Sequence, residues 1–124
     1  MKDNGNDFEK SNLPIFKQYN ELVEYSFEIL AKYPKSEKFA LVNEIKNCVY
    51  TGLRELMYAM KKFDKNEKVE HILEIKISMA ILKILVRNSY KWKYINIQNY
   101  GTWFGKIMEI ENSIGRWANS CQRR

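Results

Sequence analysis

The stretch Glu67–Tyr90, EKVEHILEIKISMAILKILVRNSY, has neither Gly nor Pro and is long enough for a helix that crosses a whole domain. Placed at about 100° per residue, it carries two apolar seams. Ile72, Ile75, Met79, Leu82 and Val86 form the first. Leu73, Ile77, Ala80 and Ile84 form the second, roughly a quarter to a third of a turn away. Lys76, Lys83 and Arg87 run between them as a narrow basic stripe, with Lys91 near its edge, while Ile81 and Leu85 point elsewhere. A surface helix of a small bundle needs one apolar face, about 100° wide. Two seams leave two readings: a central helix enclosed on all sides, or one seam for the subunit core and the other for a neighbouring subunit. The second is favoured, because three cations are hard to bury inside one core and fit a cleft or rim between subunits.

The chain has 124 residues, enough for one domain that hides about 60–70% of its unfolded surface. Its formal charge is +6, and Met60–Lys93 holds nine Lys/Arg against four acids, leaving +5 in that third of the chain. Such a field attracts polyanions: nucleic acid, an acidic protein surface or anionic lipid. Lys-rich chains from AT-rich genomes are also basic with no such partner, so charge alone does not choose. Cys48 and Cys121 show no metal or redox spacing, and Cys48 reads as a buried thiol. MKDNGNDFEKSN does not resemble a signal peptide. The longest apolar run, Ile77–Val86, is too short to span a bilayer and contains Lys83. A reduced, cytosolic protein is expected.

Residues 1–12 are polar and read as a mobile arm. Asn12-Leu13-Pro14 looks like a helix start, giving a first helix over 13–33 with Phe16, Tyr19, Val23, Phe27 and Leu30 inward, widened by Ile15, Leu22 and Ile29. Glu21, Glu24 and Glu28 form its outer acidic strip. Pro34 stops that helix, and Ser36 reads as the cap of a second over 36–62, with Phe39, Val42, Ile45, Val49, Leu53, Leu56 and Met60 inward. Gly52 in mid-helix costs up to about 1 kcal/mol against Ala, which a close helix–helix approach would offset. Asn66 reads as the cap of a third helix over 67–90, and Asn96 of a fourth over 97–120. The fourth buries Phe104, Ile107, Met108, Ile114, Trp117 and Ala118, and its Gly101, Gly105 and Gly115 argue for tight packing or for fraying at either end. Residues 121–124 are a basic tail. Short links join antiparallel neighbours, so the expected fold is an all-α, antiparallel up-down four-helix bundle.

Catalytic chemistry is not expected. His71, beside Glu70 and Glu74, is the single histidine, and no Glu-x-x-His motif elsewhere supplies further ligands. It reads as a partly exposed side chain in the first turns of its helix. No nucleophile motif or Gly-rich phosphate loop is present, and no metal or cofactor is implied. Tyr90-Lys91-Trp92-Lys93-Tyr94 is different: aromatics alternating with lysines can stack on unpaired bases while the cations meet phosphates. More often such aromatics close the end of a bundle.

Four stretches are similar to one family: LPIFKQYNELVEY from Leu13, KYPKSEKFAL at Lys32–Leu41, MAILKILVR in the third helix, and IENSIGRWANS at Ile110–Ser120. The chain resembles the accessory variability determinant (Avd) proteins of diversity-generating retroelements over Leu13–Ser120. A broader relative is the group of small four-helix bundles encoded in ribosomal RNA intervening sequences. Members of that group carry a Ser-Ile-Pro…Asn-Ile-Ala-Glu-Gly stretch in the second helix, where this chain reads NCVYTGLRELMYAM. The accessory proteins favour Leu-Arg-x-x-x-Arg in the third helix. Here Leu82-Lys83-Ile84-Leu85-Val86-Arg87 keeps the charge and loses one bidentate fork.

The resemblance implies a non-enzymatic four-helix bundle that assembles into a pentameric, barrel-like ring with a basic surface. It further implies binding to the retroelement's reverse transcriptase and to nucleic acid, template RNA or cDNA, in support of mutagenic retrohoming. By residue matching, Lys83 and Arg87 take the place of the family's two functional cations. The expected polymerase- or nucleic-acid-binding set is Lys76, Lys83, Arg87, Lys91 and Lys93, and the expected oligomer interface is Ile77, Ile81, Ile84 and Leu85. The alternative is an interaction module of the intervening-sequence type with no polymerase partner.

Overall fold

The computed structural model describes the backbone of residues 4–122 and the side chains of residues 14–122. Four helices form the fold: α1 (Asn4–Leu30), α2 (Leu41–Lys61), α3 (Lys65–Lys91) and α4 (Ile97–Gln122), with a short 3-10 turn over Lys35–Glu37 between α1 and α2. Consecutive helices are neighbours and α4 returns to α1, so they stand in a square with no close backbone approach across its diagonals among the described residues. The α2–α3 packing is the most extensive and α1–α2 the least. No described residue is in a strand, and no described helix is long and apolar enough to cross a membrane.

Helix boundaries differ from expectation where capping was read from residue type. α1 begins at Asn4, so Asn12-Leu13-Pro14 lies inside the helix and most of the expected arm is helical. Pro14 lacks the N–H that would bond the carbonyl four residues back, a local loss within the helix. Met1 to Asp3 lie outside the described residues, as do Arg123 and Arg124 of the expected tail. α2 starts at Leu41, five residues after Ser36, and Ala40 stands at its cap without a side-chain hydrogen bond. Glu37 takes over, its Oε1 accepting from the Leu41 N–H at 3.4 Å. Asp64 rather than Asn66 precedes α3. Asn96 caps α4 as expected, with its Oδ1 accepting from the Asn99 N–H at 2.7 Å.

The core is one cluster fed by all four helices. On α1 it is centred on Ile15, Tyr19, Leu22, Ser26 and Ile29, while Phe16, Val23 and Phe27 flank it half-buried. The shift comes from Ser26, a polar residue that is fully buried because the Trp103 Nε1–H donates to its Oγ at 2.9 Å. Trp103 and Ile110 complete the α4 face, and Met108 is exposed instead of buried. On α2, Phe39 precedes the helix and is 87% exposed. Gly52 faces Tyr19 of α1 and Met79 of α3, and a Cβ there would overlap the Tyr19 hydroxyl and lie 3.3 Å from Met79 Cε. That is the expected close approach. At Gly101, Gly105 and Gly115 nothing lies within 4 Å of where a Cβ would stand, so tight packing among the described residues does not explain them. Cys48 is half-buried, and burial pushes its thiol pKa up.

Candidate nucleic-acid and subunit interface

Burying one seam of α3 fixes where everything else on that helix points. Ile72, Ile75, Met79, Leu82 and Val86 are all at most 1% exposed. The second seam is therefore turned outward: Leu73 is 53% exposed, Ile77 45% and Ile84 54%, with Ala80 exposed between them. Ile81, also 45% exposed, widens this face. A fully enclosed central helix is excluded. Leu85 departs from the expected interface set, because it is half-buried against the core. It lies on the far side of the outward face, beyond Ile81 on the wheel.

The basic stripe occupies the boundary between the core seam and this face, where α3 meets α4. Lys76 is exposed. Lys83 Nζ lies 2.9 Å from Glu111 Oε1 on α4, with 29% and 25% of the two side chains exposed. Lys83 Nζ and Arg87 Cζ each lie 5.9 Å from the centre of the Phe104 ring, so one half-buried aromatic holds both cations. Arg87 is exposed, and its planar fork is the one able to grip a phosphate or carboxylate through two hydrogen bonds. Lys91 sits in the last turn of α3, and Lys93 follows the helix in the left-handed region at φ 66°. The five expected cations thus divide: Lys83 and Arg87 stand over Phe104 where α3 meets α4, with Lys76 exposed on the same stripe, while Lys91 and Lys93 belong to the end of the bundle.

Glu111 was not expected as a partner. Its spacing from the core residues of α4 places it toward α3, but which cation it meets depends on the relative height of two antiparallel helices. His71 likewise turns to α2: its Nδ1 lies 2.6 Å from Glu55 Oε1 and its ring stacks on Tyr58 at 5.2 Å, rather than engaging Glu70 and Glu74. Among the described residues no group of three His, Cys, Asp or Glu is placed to hold a metal ion.

A four-helix bundle with an outward apolar face and a stripe of cations on one helix defines a class of small all-helical proteins. Within that class, the bAvd-like family model matches residues 13–121, and the chain belongs to that family. It is an Avd-type protein, an accessory protein of a diversity-generating retroelement. None of the curated proteins matches the sequence.

Proposed function

We propose that the protein is a non-enzymatic accessory factor that binds the retroelement's reverse transcriptase and its template RNA or cDNA, and so supports mutagenic retrohoming. The observation that carries this reading is the arrangement on α3, where an outward apolar face and a stripe of Lys76, Lys83 and Arg87 share one helix. The apolar face is assigned to a second copy of the chain, continuing around a closed ring, for which the family resemblance suggests five subunits. Exposed isoleucines three and four residues apart make a strip that another helix can cover by ridge-into-groove packing. The family match supports this reading, because the family resemblance implies association with a polymerase. Ring assembly would repeat the basic stripe around the oligomer and multiply a contact that is weak in one subunit.

The test is a pull-down of the retroelement's reverse transcriptase and template RNA with the double variant Lys83→Ala/Arg87→Ala. The expected result is an intact helical fold by circular dichroism and binding reduced by at least tenfold. Wild-type capture of both partners by the double variant would remove the basic stripe from the function.

A further inference from the structure

Two turns far apart in sequence meet at one end of the bundle. The Tyr94 hydroxyl donates to Glu37 Oε2 at 2.8 Å, and the Tyr33 and Tyr94 rings lie 5.4 Å apart. This contact joins the α1–α2 connection to the α3–α4 turn. Lys32, Lys35 and Lys38 from the first and Lys91 and Lys93 from the second are all exposed. Glu37 is the single acid in residues 31–40 and 88–98, and both of its oxygens are engaged, one by Tyr94 and one by the Leu41 N–H. Among these lysines stand two bare rings: Phe39, 87% exposed, with Lys38 Nζ 5.6 Å from its centre, and Trp92, 69% exposed, between Lys91 and Lys93 in sequence. A cavity of about 240 Å³ opens beside them, walled in part by Phe27, Tyr33, Lys35, Lys38 and Lys46, with no carboxylate among its described lining residues.

Lys93 gives an independent reason to read this end as functional. α3 finishes in a Schellman motif, with the Tyr94 N–H donating to the Ser89 carbonyl at 2.9 Å and the Lys93 N–H to the Tyr90 carbonyl at 3.0 Å. The residue after the cap must then be left-handed, a position glycine fills without strain. A lysine there keeps a cation at the cost of backbone strain, and strain of that kind concentrates at functional sites.

We propose that this end of the bundle is a platform for single-stranded nucleic acid, with Trp92 and Phe39 stacking on bases and Lys35, Lys38, Lys91 and Lys93 neutralising phosphates. The proposal rests on the reading of the chain as a factor that meets nucleic acid, and adds a strand contact at the end of the bundle beyond the α3 stripe. A single strand fits best because its bases offer flat faces to both rings while lysines track the backbone without base preference. A duplex hides those faces. The rings also stand singly, each next to a lysine in sequence, instead of forming the broad apolar surface that lipid insertion requires.

The experiment measures binding of a labelled 20-nucleotide oligouridine, a duplex of equal length, and vesicles containing phosphatidylserine, each across a salt series. Trp92→Ala/Phe39→Ala should weaken the single strand at least tenfold and leave the salt slope unchanged. Lys35→Ala/Lys38→Ala/Lys91→Ala/Lys93→Ala should flatten that slope by about 2 to 3, as expected for four phosphate contacts on a single strand. Lys93→Gly should raise the melting temperature and still weaken the strand, a combination that a purely structural lysine would not give. Full single-strand affinity in the ring-deleted variant, or tighter binding to duplex or vesicles, overturns the proposal. Loss of binding only in Lys83→Ala/Arg87→Ala overturns it too, while leaving the reading of the α3 stripe in place. Absence of wild-type binding to any nucleic acid overturns both nucleic-acid assignments, and polymerase capture then tests what remains.

Discussion

The ammonium of Lys83 on α3 and the carboxylate of Glu111 on α4 meet at 2.9 Å where the two helices pack, with Phe104 beside them. A cation already paired is a weaker ligand for phosphate than a free one. Glu111→Gln should therefore strengthen polyanion binding and steepen its salt dependence by about 0.7 in log–log slope for a single strand. The loss in stability should stay within about 1 kcal/mol, since the pair retains solvent contact. Salt-series titration of wild type and variant checks both, and unchanged affinity would mean that Lys83 meets no phosphate.

The outward face of α3 makes a separate prediction. Ile77→Glu/Ile84→Glu removes two half-exposed apolar side chains that take no part in the subunit core, so each chain should fold with little change in urea midpoint. Light scattering should show wild type as an oligomer near five subunits and the variant as a single chain. A wild-type monomer at every concentration would leave that face unassigned and remove the ring.

Gly52 is fixed by Tyr19. The tyrosine hydroxyl donates to the Val49 carbonyl at 2.6 Å, is fully buried, and occupies the space a Cβ would need. Helix propensity favours Gly52→Ala by about 1 kcal/mol, but the overlap cannot be relieved without breaking that hydrogen bond, and overpacking costs about 1–3 kcal/mol. The variant should be destabilised by about 2 kcal/mol in urea unfolding. The penalty should shrink in a Tyr19→Phe background, where the hydroxyl is gone; equal penalties in both backgrounds would show that Tyr19 is not the obstacle.

Alkaline pH should weaken the fold before it reaches the buried tyrosines directly. Burial raises the pKa of Tyr19, and that of Tyr33 to about 12, whereas an unfolded tyrosine titrates near 10. Above pH ~10 the unfolded chain releases these protons and the folded chain holds them, so unfolding gains. The stability from each group is complete below pH ~10 and is lost as pH rises through its folded value. The urea midpoint should fall between pH ~10 and ~12, and less steeply in Tyr19→Phe/Tyr33→Phe. Identical slopes would contradict this account.

Some of the architecture was legible because it depends on local pattern. The core seam Ile72-Ile75-Met79-Leu82-Val86 is a helical period, and burial followed it residue by residue. Asn96 capped α4 because an Asn before an apolar period has an N–H within reach. Ser36 failed as a cap because the chain first makes a 3-10 turn, which lets Glu37 approach Leu41. Ser26 was passed over on α1 since polarity argues against burial until Trp103 is known to stand opposite.

By itself the sequence determined the helical period, the second apolar seam and the clustering of positive charge, because each is a property of residue order along one helix. Only the tertiary structure decided what those features face. It turned the second seam outward, drew Lys83 onto Glu111, and brought Lys35 and Lys38 to the same end as Lys91 and Lys93. The reason is that a helix fixes angles about its own axis, while the height and rotation of one helix against another are set by which side chains interlock in the shared core.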